Sequence, residues 1–410
     1  MEKEFEILKN AKKVVLAYSG GLDTSIMACY LKEHGVKEVI CVSGDLGQVE
    51  DEKALEKKAL KSGASKFYNV DLKKEFLESY AFPTMKAGAK YENTYLLGTA
   101  IARPLISKAL VEVAKKENCD IIVHGCTGKG NDQIRFEVSI MALAPEMKVL
   151  APWRFWSIKG RSEEEEYAKK HGIEVTKNGE SKYSEDENIW HISHEGLDLE
   201  DPKNAPILDK VLKWVTPPEK CKDKAELVTI GFEKGNPVSV NGEKLDSVTL
   251  LKKLNEIGGR NGVGIDDIVE SRMVGMKSRG LYENPGASLL YFAHEKLETV
   301  TVYPDTLKYK HKMAHDYADL VYGGKMLTEL RVAMDAFVNV SQENVTGEVT
   351  LKLYKGSIFP HGINAKNSLY RDDYASFEKD DVYDQSDATG FINLFGLSTK
   401  IYAKVKEESK

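Results

Sequence analysis

Apolar residues along the first third of the chain come in short unbroken runs, each followed by a stretch with helical spacing. The runs fall at 13–19 (KVVLAYS), 38–44 (EVICVSG), 66–70 (KFYNV), 119–125 (CDIIVHG) and 148–153 (KVLAPW). Between and after them the spacing predicts helices at 23–34, 50–63, 99–118 and 132–144, and a charged helix at 161–172 closes the series. A strand with one wet face alternates polar and apolar residues, whereas an unbroken apolar run is covered on both faces. Such runs alternating with helices predict an α/β fold, a doubly wound parallel sheet whose ligands bind outside the carboxyl ends of the strands.

Beyond about residue 175 the pattern changes. AELVTIGFEKGNPVSVNG (225–242) reads as a hairpin, TLLKKLNEIGG (249–259) as a helix, and ASLLYFAHEKLETVTVY (287–303) as mixed helix and strand. The chain therefore divides into an α/β domain over 1–175, an α+β domain over 176–384 and an arm over 385–410. On the arm Leu397, Ile401 and Val405 recur at helical spacing. A helix so short is not stable alone, which predicts that it packs on another subunit.

Charge and cysteine usage narrow the partners. With 58 basic against 64 acidic residues and a net charge of -6, the chain lacks the basic bias of a nucleic-acid-binding protein. No apolar stretch reaches the length of a membrane span, and the opening MEKEFEILKNAKK has no apolar core of a secretory signal. Neither nucleic acid nor membrane is expected as a partner. Cys29, Cys41, Cys119, Cys126 and Cys221 are odd in number and form no CxxC pair, which predicts reduced thiols and a cytoplasmic location.

The candidate chemistry lies in two glycine-rich exits from strands. In AYSGGLDTS (17–25) the first strand ends in Ser19-Gly20-Gly21 and a helix starts at once. The first N–H groups of a helix have no intrahelical partner and carry partial positive charge. Two glycines let an anion approach them, and Ser19, Thr24 and Ser25 add hydroxyls, so the loop is a phosphate cradle. Neither GxxxxGK[ST] nor GxGxxG occurs in the chain. The arrangement strand-SGGxD[ST]-helix instead resembles the ATP pyrophosphatases, which cleave ATP between its α and β phosphates. The second exit, HGCTGKGND (124–132), carries Thr127, Asn131 and Asp132, which suit the ammonium or carboxylate of an amino acid. Lys129 and Arg135 add positive charge, Arg135 as a fork matched to a carboxylate. His191, His194 and Glu195, and His311 with His315, lack the further acidic ligand of a metal site, so no protein-held metal is expected.

Further stretches extend the resemblance along the chain: YENTYLLGT (91–99) with IARP (101–104), HGCTGKGNDQIRFE (124–137), APWR (151–154), SEDEN (184–188) with HIS (191–193), IVESRMVGMKSRGLYENP (268–285) and DATGFIN (387–393). With AYSGGLDTS, and in this order, they make the chain resemble the argininosuccinate synthases. The resemblance implies an adenine-nucleotide-hydrolase-like first domain, a synthetase domain, a C-terminal oligomerisation helix and a homotetramer. It also implies condensation of L-citrulline with L-aspartate through citrullyl-AMP, with ATP as substrate and Mg²⁺ carried by ATP.

Carried over by position, ATP would lie on Ala17, Tyr18, Ser19, Gly20, Gly21, Leu22, Asp23, Thr24 and Ser25, with Gly44 at the adenine and Gly125 beside it. Aspartate would meet Thr127, Asn131 and Asp132. Citrulline would lie among Tyr95, Thr99, Asn131, Arg135, Ser184, Ser193, Glu270 and Tyr282. Ser19, Asp132 and Arg135 would serve catalysis. Two positions depart from the family pattern. Gly44 stands where Ala is frequent, and Ala100 stands where Ser or Thr would offer citrulline a hydroxyl. Two other classes compete with this reading. Another adenylating ligase of the ATP pyrophosphatase type would call for a basic RNA surface or a glutaminase domain, and neither is visible. A non-catalytic ATP-binding module would not need the set Thr127, Asn131, Asp132 and Arg135.

Overall fold

Side chains on the central strands alternate between two separate cores. On β1 (Lys13–Ala17) Val14 and Leu16 enter one core and Val15 the other. On β2 (Glu38–Asp45) Val39 and Cys41 oppose Ile40 and Val42, and on β4 (Ile121–Val123) Ile121 and Val123 oppose Ile122. Both faces are buried, which is why the sequence runs are unbroken. The computed structural model that shows this describes residues 2–48, 51–158, 160–173, 183–375 and 382–410. The expected domain boundary at 175/176 lies outside the described residues.

β3 (Lys66–Asp71) and β5 (Lys148–Leu150) complete a parallel sheet in the order β3-β2-β1-β4-β5. One face is covered by α1 (Glu2–Asn10), α2 (Leu22–Glu33), α3 (Glu52–Lys61) and α6 (Arg161–Lys170) through Leu8, Ile26, Leu55 and Ala168. The other is covered by α4 (Gly98–Lys116) and α5 (Asp132–Leu143) through Leu110, Ala114, Phe136 and Ile140. This is the doubly wound sheet that the pattern predicts. From β1 the chain moves outward to β2 and β3, then returns through α4 to β4 on the other side. The exits of β1 and β4 therefore diverge side by side, and such a switch point forms a crevice.

The second half is built on two antiparallel sheets. One has the order β11-β12-β7-β6, from β6 (Ser184–Asn188), β7 (His191–Glu195), β11 (Ile265–Ser271) and β12 (Lys277–Glu283). The other runs β10-β9-β8-β13-β14, from β8 (Glu226–Glu233), β9 (Asn236–Val240), β10 (Glu243–Lys244), β13 (Gly347–Tyr354) and β14 (Ser357–Ala365). The hairpin expected at 225–242 is the β8–β9 pair, and the helix at 249–259 falls within α7 (Ser247–Arg260). The stretch 287–303 is not mixed. It belongs to a single helix, α8 (Pro285–Thr301). α9 (Pro304–Tyr322) and α10 (Glu329–Ser341) follow.

One large core joins Ile101 and Leu105 of α4 to Trp190, Tyr282, Leu290 and Tyr317. Residues 1–367 accordingly form one compact unit. Ser368–Lys410 forms a second, with helices Asp387–Phe395 and Leu397–Glu408. Among the described residues no helix is long and apolar enough to cross a membrane.

Candidate active site

A cavity of about 1340 Å³ opens at the switch point. That exceeds what a single small ligand needs, since pockets for one drug-sized molecule run to about 1,000 Å³. The exits of β1 and β4 form one side, and β7, β11 and β12 contribute the other.

The first loop is held by its own hydroxyls. Gly20 adopts φ +73°, a left-handed conformation that favours glycine, and a Cβ there would lie 2.3 Å from Leu55 Cδ1, which would have to shift. The Ser19 N–H donates to Thr24 Oγ1 (3.3 Å), the Gly21 N–H to Ser19 Oγ (3.3 Å) and Ser25 Oγ to the Gly21 carbonyl (2.8 Å). Lys58 Nζ donates to the Gly20 carbonyl. The main chain is thereby shaped ahead of the α2 N-terminus, where an anion would be favoured.

The second loop is folded back by Gln133, whose Nε2 donates to the carbonyls of Gly128 (2.8 Å) and Gly130 (3.0 Å). α5 then starts at Asp132, which joins two guanidiniums: Arg103 Nε donates to its Oδ2 (2.8 Å) and Arg135 Nη1 to its Oδ1 (2.8 Å). Arg103 also pairs with Asp186. Burial opposes the charge on Asp132, but Arg103 and then Arg135 outweigh it and hold the carboxyl below the usual carboxylate range. A carboxylate held this way orients partners well and accepts a proton poorly.

The far wall carries Glu270 and Tyr282, and Tyr322 supports Glu270 from behind it. Tyr282 Oη donates to Glu270 Oε1 (2.6 Å) and Tyr322 Oη to Oε2 (2.6 Å). Burial, and after it the Glu270 carboxylate, push both phenols up, so they remain donors. Arg272 ties the β11–β12 turn down, donating from Nη2 to Glu195 (2.6 Å) and from Nη1 to the Lys129 carbonyl (3.2 Å). The Met273 N–H reaches Asn131 Oδ1 (2.9 Å) across the same gap.

Sequence models of two domains match the chain: an arginosuccinate synthase N-terminal HUP domain over residues 13–174 and an arginosuccinate synthase C-terminal domain over 183–402. Curated relatives agree. An argininosuccinate synthase of Caldanaerobacter subterraneus is 58% identical over 96% of this chain and 95% of its own. Those of Clostridium perfringens and Acetivibrio thermocellus are 54% and 55% identical, each over 98% of this chain and 100% of its own. The chain belongs to the argininosuccinate synthase family. It is an enzyme of that family, whose members are ligases of arginine biosynthesis.

In a chain of this family the positions picked out by sequence can be located on the cavity. Residues 17–24, Gly44 and Gly125 line it, as do Tyr95, Thr99, Thr127, Asn131, Asp132, Arg135, Ser184, Ser193, Glu270 and Tyr282. Ser25 does not: it is fully buried, its hydroxyl 3.1 Å from Tyr18 Oη, and it supports the loop from below. Ala100 is buried in the large core and off the wall, so a hydroxyl at that position would not open onto the cavity. Lys129 also stands off the wall. The sequence assigns no role to Arg103, Asp186 and Tyr322, and Glu195 enters it only among residues short of a metal site. The first two sit inside the motifs IARP and SEDEN, a signal that was available. Tyr322 had none.

Two consequences can be measured. Gly20→Ala adds a Cβ in strained backbone and against Leu55. Such strain costs about 1–3 kcal/mol, so ATP affinity is expected to fall about tenfold or more as the loop relaxes. Calorimetric titration showing unchanged affinity would exclude a nucleotide on this loop. The second concerns His191, which is buried, with Nε2 3.0 Å from Thr99 Oγ1 and its ring against the place a Gly98 Cβ would occupy. Burial first, then Arg103, lowers its pKa to about 3. Unfolding at acid pH then takes up a proton, so stability present above pH 6.5 is lost as pH falls towards 3. Between pH 6 and 4 the wild type should lose about 1.4 kcal/mol per pH unit more than His191→Gln, a difference that denaturant unfolding at stepped pH would detect.

Proposed function

We propose that the chain condenses L-citrulline with L-aspartate to argininosuccinate, converting ATP to AMP and pyrophosphate by way of citrullyl-AMP. The observation that carries this is the gathering of a phosphate-type loop, the Arg103–Asp132–Arg135 group and the Glu270–Tyr282 pair on one cavity. In this reading the SGG loop takes the β and γ phosphates and leaves the α-phosphorus open. The ureido oxygen of citrulline attacks it, the bond to the β-phosphate oxygen breaks, and pyrophosphate leaves. The deprotonated aspartate amine then attacks the activated carbon, its C–O bond breaks, and AMP departs. Steps of this kind depend on alignment and on preorganised charge more than on a protein nucleophile.

The residue roles follow. Ser19 and the backbone at Gly20 and Gly21 hold the departing phosphates, with Gly44 and Gly125 beside the nucleoside. Thr127, Asn131 and Asp132 hold aspartate. Tyr95, Thr99, Asn131, Arg135, Ser184, Ser193, Glu270 and Tyr282 hold citrulline, so Asn131 stands between the two amino acids. Asp132 orients the amine. Magnesium would enter as part of the ATP substrate and would supply positive charge to the departing phosphates.

The division into 1–175, 176–384 and 385–410 belongs to the same reading, as do a cytoplasmic homotetramer and the absence of nucleic-acid and membrane partners. The exposed apolar residues Phe391, Leu394 and Phe395 on the arm favour a subunit contact. The deciding experiment incubates the protein with ATP, citrulline and aspartate, omitting each in turn, and identifies the nucleotide product. AMP and pyrophosphate that require both amino acids are expected. ADP with orthophosphate would overturn the proposal.

A further inference from the structure

Behind the amino-acid side of the cavity stands a side chain that reaches three of its wall residues and lines none of it. Tyr322, the last residue of α9, is 1% exposed. Its hydroxyl accepts from Asn131 Nδ2 (2.7 Å) and donates to Glu270 Oε2 (2.6 Å). Its carbonyl accepts from Arg135 Nε (3.0 Å), and the Arg135 guanidinium lies 4.8 Å from its ring centroid. The ring stacks on Tyr91 at 3.5 Å and 4°, and Tyr91 Oη donates to the carbonyl of Ser271, next to Glu270 (2.8 Å).

The backbone is built for this approach. α9 stops at Gly323, and Gly324 adopts φ +74° where a Cβ would lie 2.7 Å from Arg135 Cα. Only glycine lets the helix end come so close to α5. The chemistry of the hydroxyl matters equally, because a phenol accepts and donates at once. Asn131 gives Nδ2 to Tyr322 and takes the Met273 N–H on Oδ1, so its amide has one orientation. Glu270 takes one donor on each oxygen and keeps a lone pair on each for a ligand.

We propose that Tyr322 is a positioning residue for the citrulline pocket, fixing the Asn131 amide, the Glu270 carboxylate and the Arg135 guanidinium relative to one another without touching substrate. The assignment rests on the citrulline reading above. Tyr322→Phe tests it, because the ring, the stack on Tyr91 and the carbonyl to Arg135 all remain and only the hydroxyl is lost. Initial rates with each substrate varied should show the citrulline KM raised about tenfold, the usual penalty of an unpaired buried donor, with the ATP KM within about twofold. A residue that merely supports the fold would lower the active fraction, hence kcat, and leave every KM unchanged. KM does not depend on enzyme concentration, so a poorly yielding variant still decides the matter. Tyr322→Leu, which also loses the stack, should do more damage than Tyr322→Phe.

If wild type is active and Tyr322→Phe keeps the wild-type citrulline KM, or raises all three KM values alike, the assignment fails alone. If wild type forms no AMP in response to citrulline, the parent reading fails and takes the assignment with it.

Discussion

Asp132→Asn is expected to lower kcat/KM for aspartate by about two orders of magnitude while the ATP KM stays within threefold. Each Asp132 oxygen takes a guanidinium, Arg135 on Oδ1 and Arg103 on Oδ2, both at 2.8 Å. Asparagine keeps one acceptor and turns an NH₂ donor towards the other guanidinium. Removing one member of a buried pair costs about 3–5 kcal/mol. The Asp132 side chain is 25% exposed, so the lower end of that range applies, and at about 1.4 kcal/mol per decade the result is about 10²-fold. ATP is spared in this account because its loop is braced by Ser19, Thr24 and Ser25, none of which bonds to Asp132. Initial-rate kinetics with aspartate varied decide the point, and normal turnover together with normal aspartate affinity would refute the role.

What the sequence made legible follows from where each element is buried. The parallel strands stand out because Val14 and Leu16 face one core and Val15 the other, leaving no polar position to interrupt the run. Both glycine loops could be placed at strand exits from this pattern alone, and the β1/β4 crevice brings them together. α8 was hidden for a related reason. Ala287, Leu289, Leu290, Tyr291, Ala293 and Leu297 bury it on most sides, so it shows no amphipathic stripe. Its last turn, Thr299-Val300-Thr301, is β-branched and imitates a strand.

The site was legible only in its linear parts. Loops 17–25 and 124–132 are local sequence, and their anion-binding character can be derived from glycine and hydroxyl content. The Arg103–Asp132–Asp186 chain of charges is not local, because it joins α4, α5 and β6. The motif IARP marks Arg103, but helical spacing by itself presents no reason to turn one basic residue inward. Tyr322 is further out of reach, since its partners Asn131 and Glu270 lie 191 and 52 positions away in the chain. Positions like these show themselves only when the packing of the elements is known.

The same holds for Glu283, a buried carboxylate with four donors. Glu283→Ala is expected to lower the apparent melting temperature by roughly 4–6 °C. Glu283 ends β12 and is 0% exposed. Its Oε1 takes His194 Nε2 (2.8 Å) and the Lys213 N–H (2.8 Å), and its Oε2 takes the N–H groups of Trp214 (2.7 Å) and Val215 (2.7 Å). Four donors fill the four lone-pair sites of one carboxylate. Alanine would leave three consecutive backbone N–H groups and an imidazole unpaired, a loss of about 3–5 kcal/mol. Glu283→Gln should fall between, because it keeps one acceptor but points an amide donor at other donors. Alternation along β12 turns Tyr282 to the cavity and Glu283 away from it. Enzyme that remains folded at low temperature should therefore keep the citrulline KM within about threefold. Thermal unfolding followed by tryptophan emission, paired with kinetics at low temperature, separates the two effects. An unshifted melting curve would mean that this buried carboxylate does not anchor 213–215 to the sheet. A large KM change at unchanged melting would instead place Glu283 among the groups that shape the pocket.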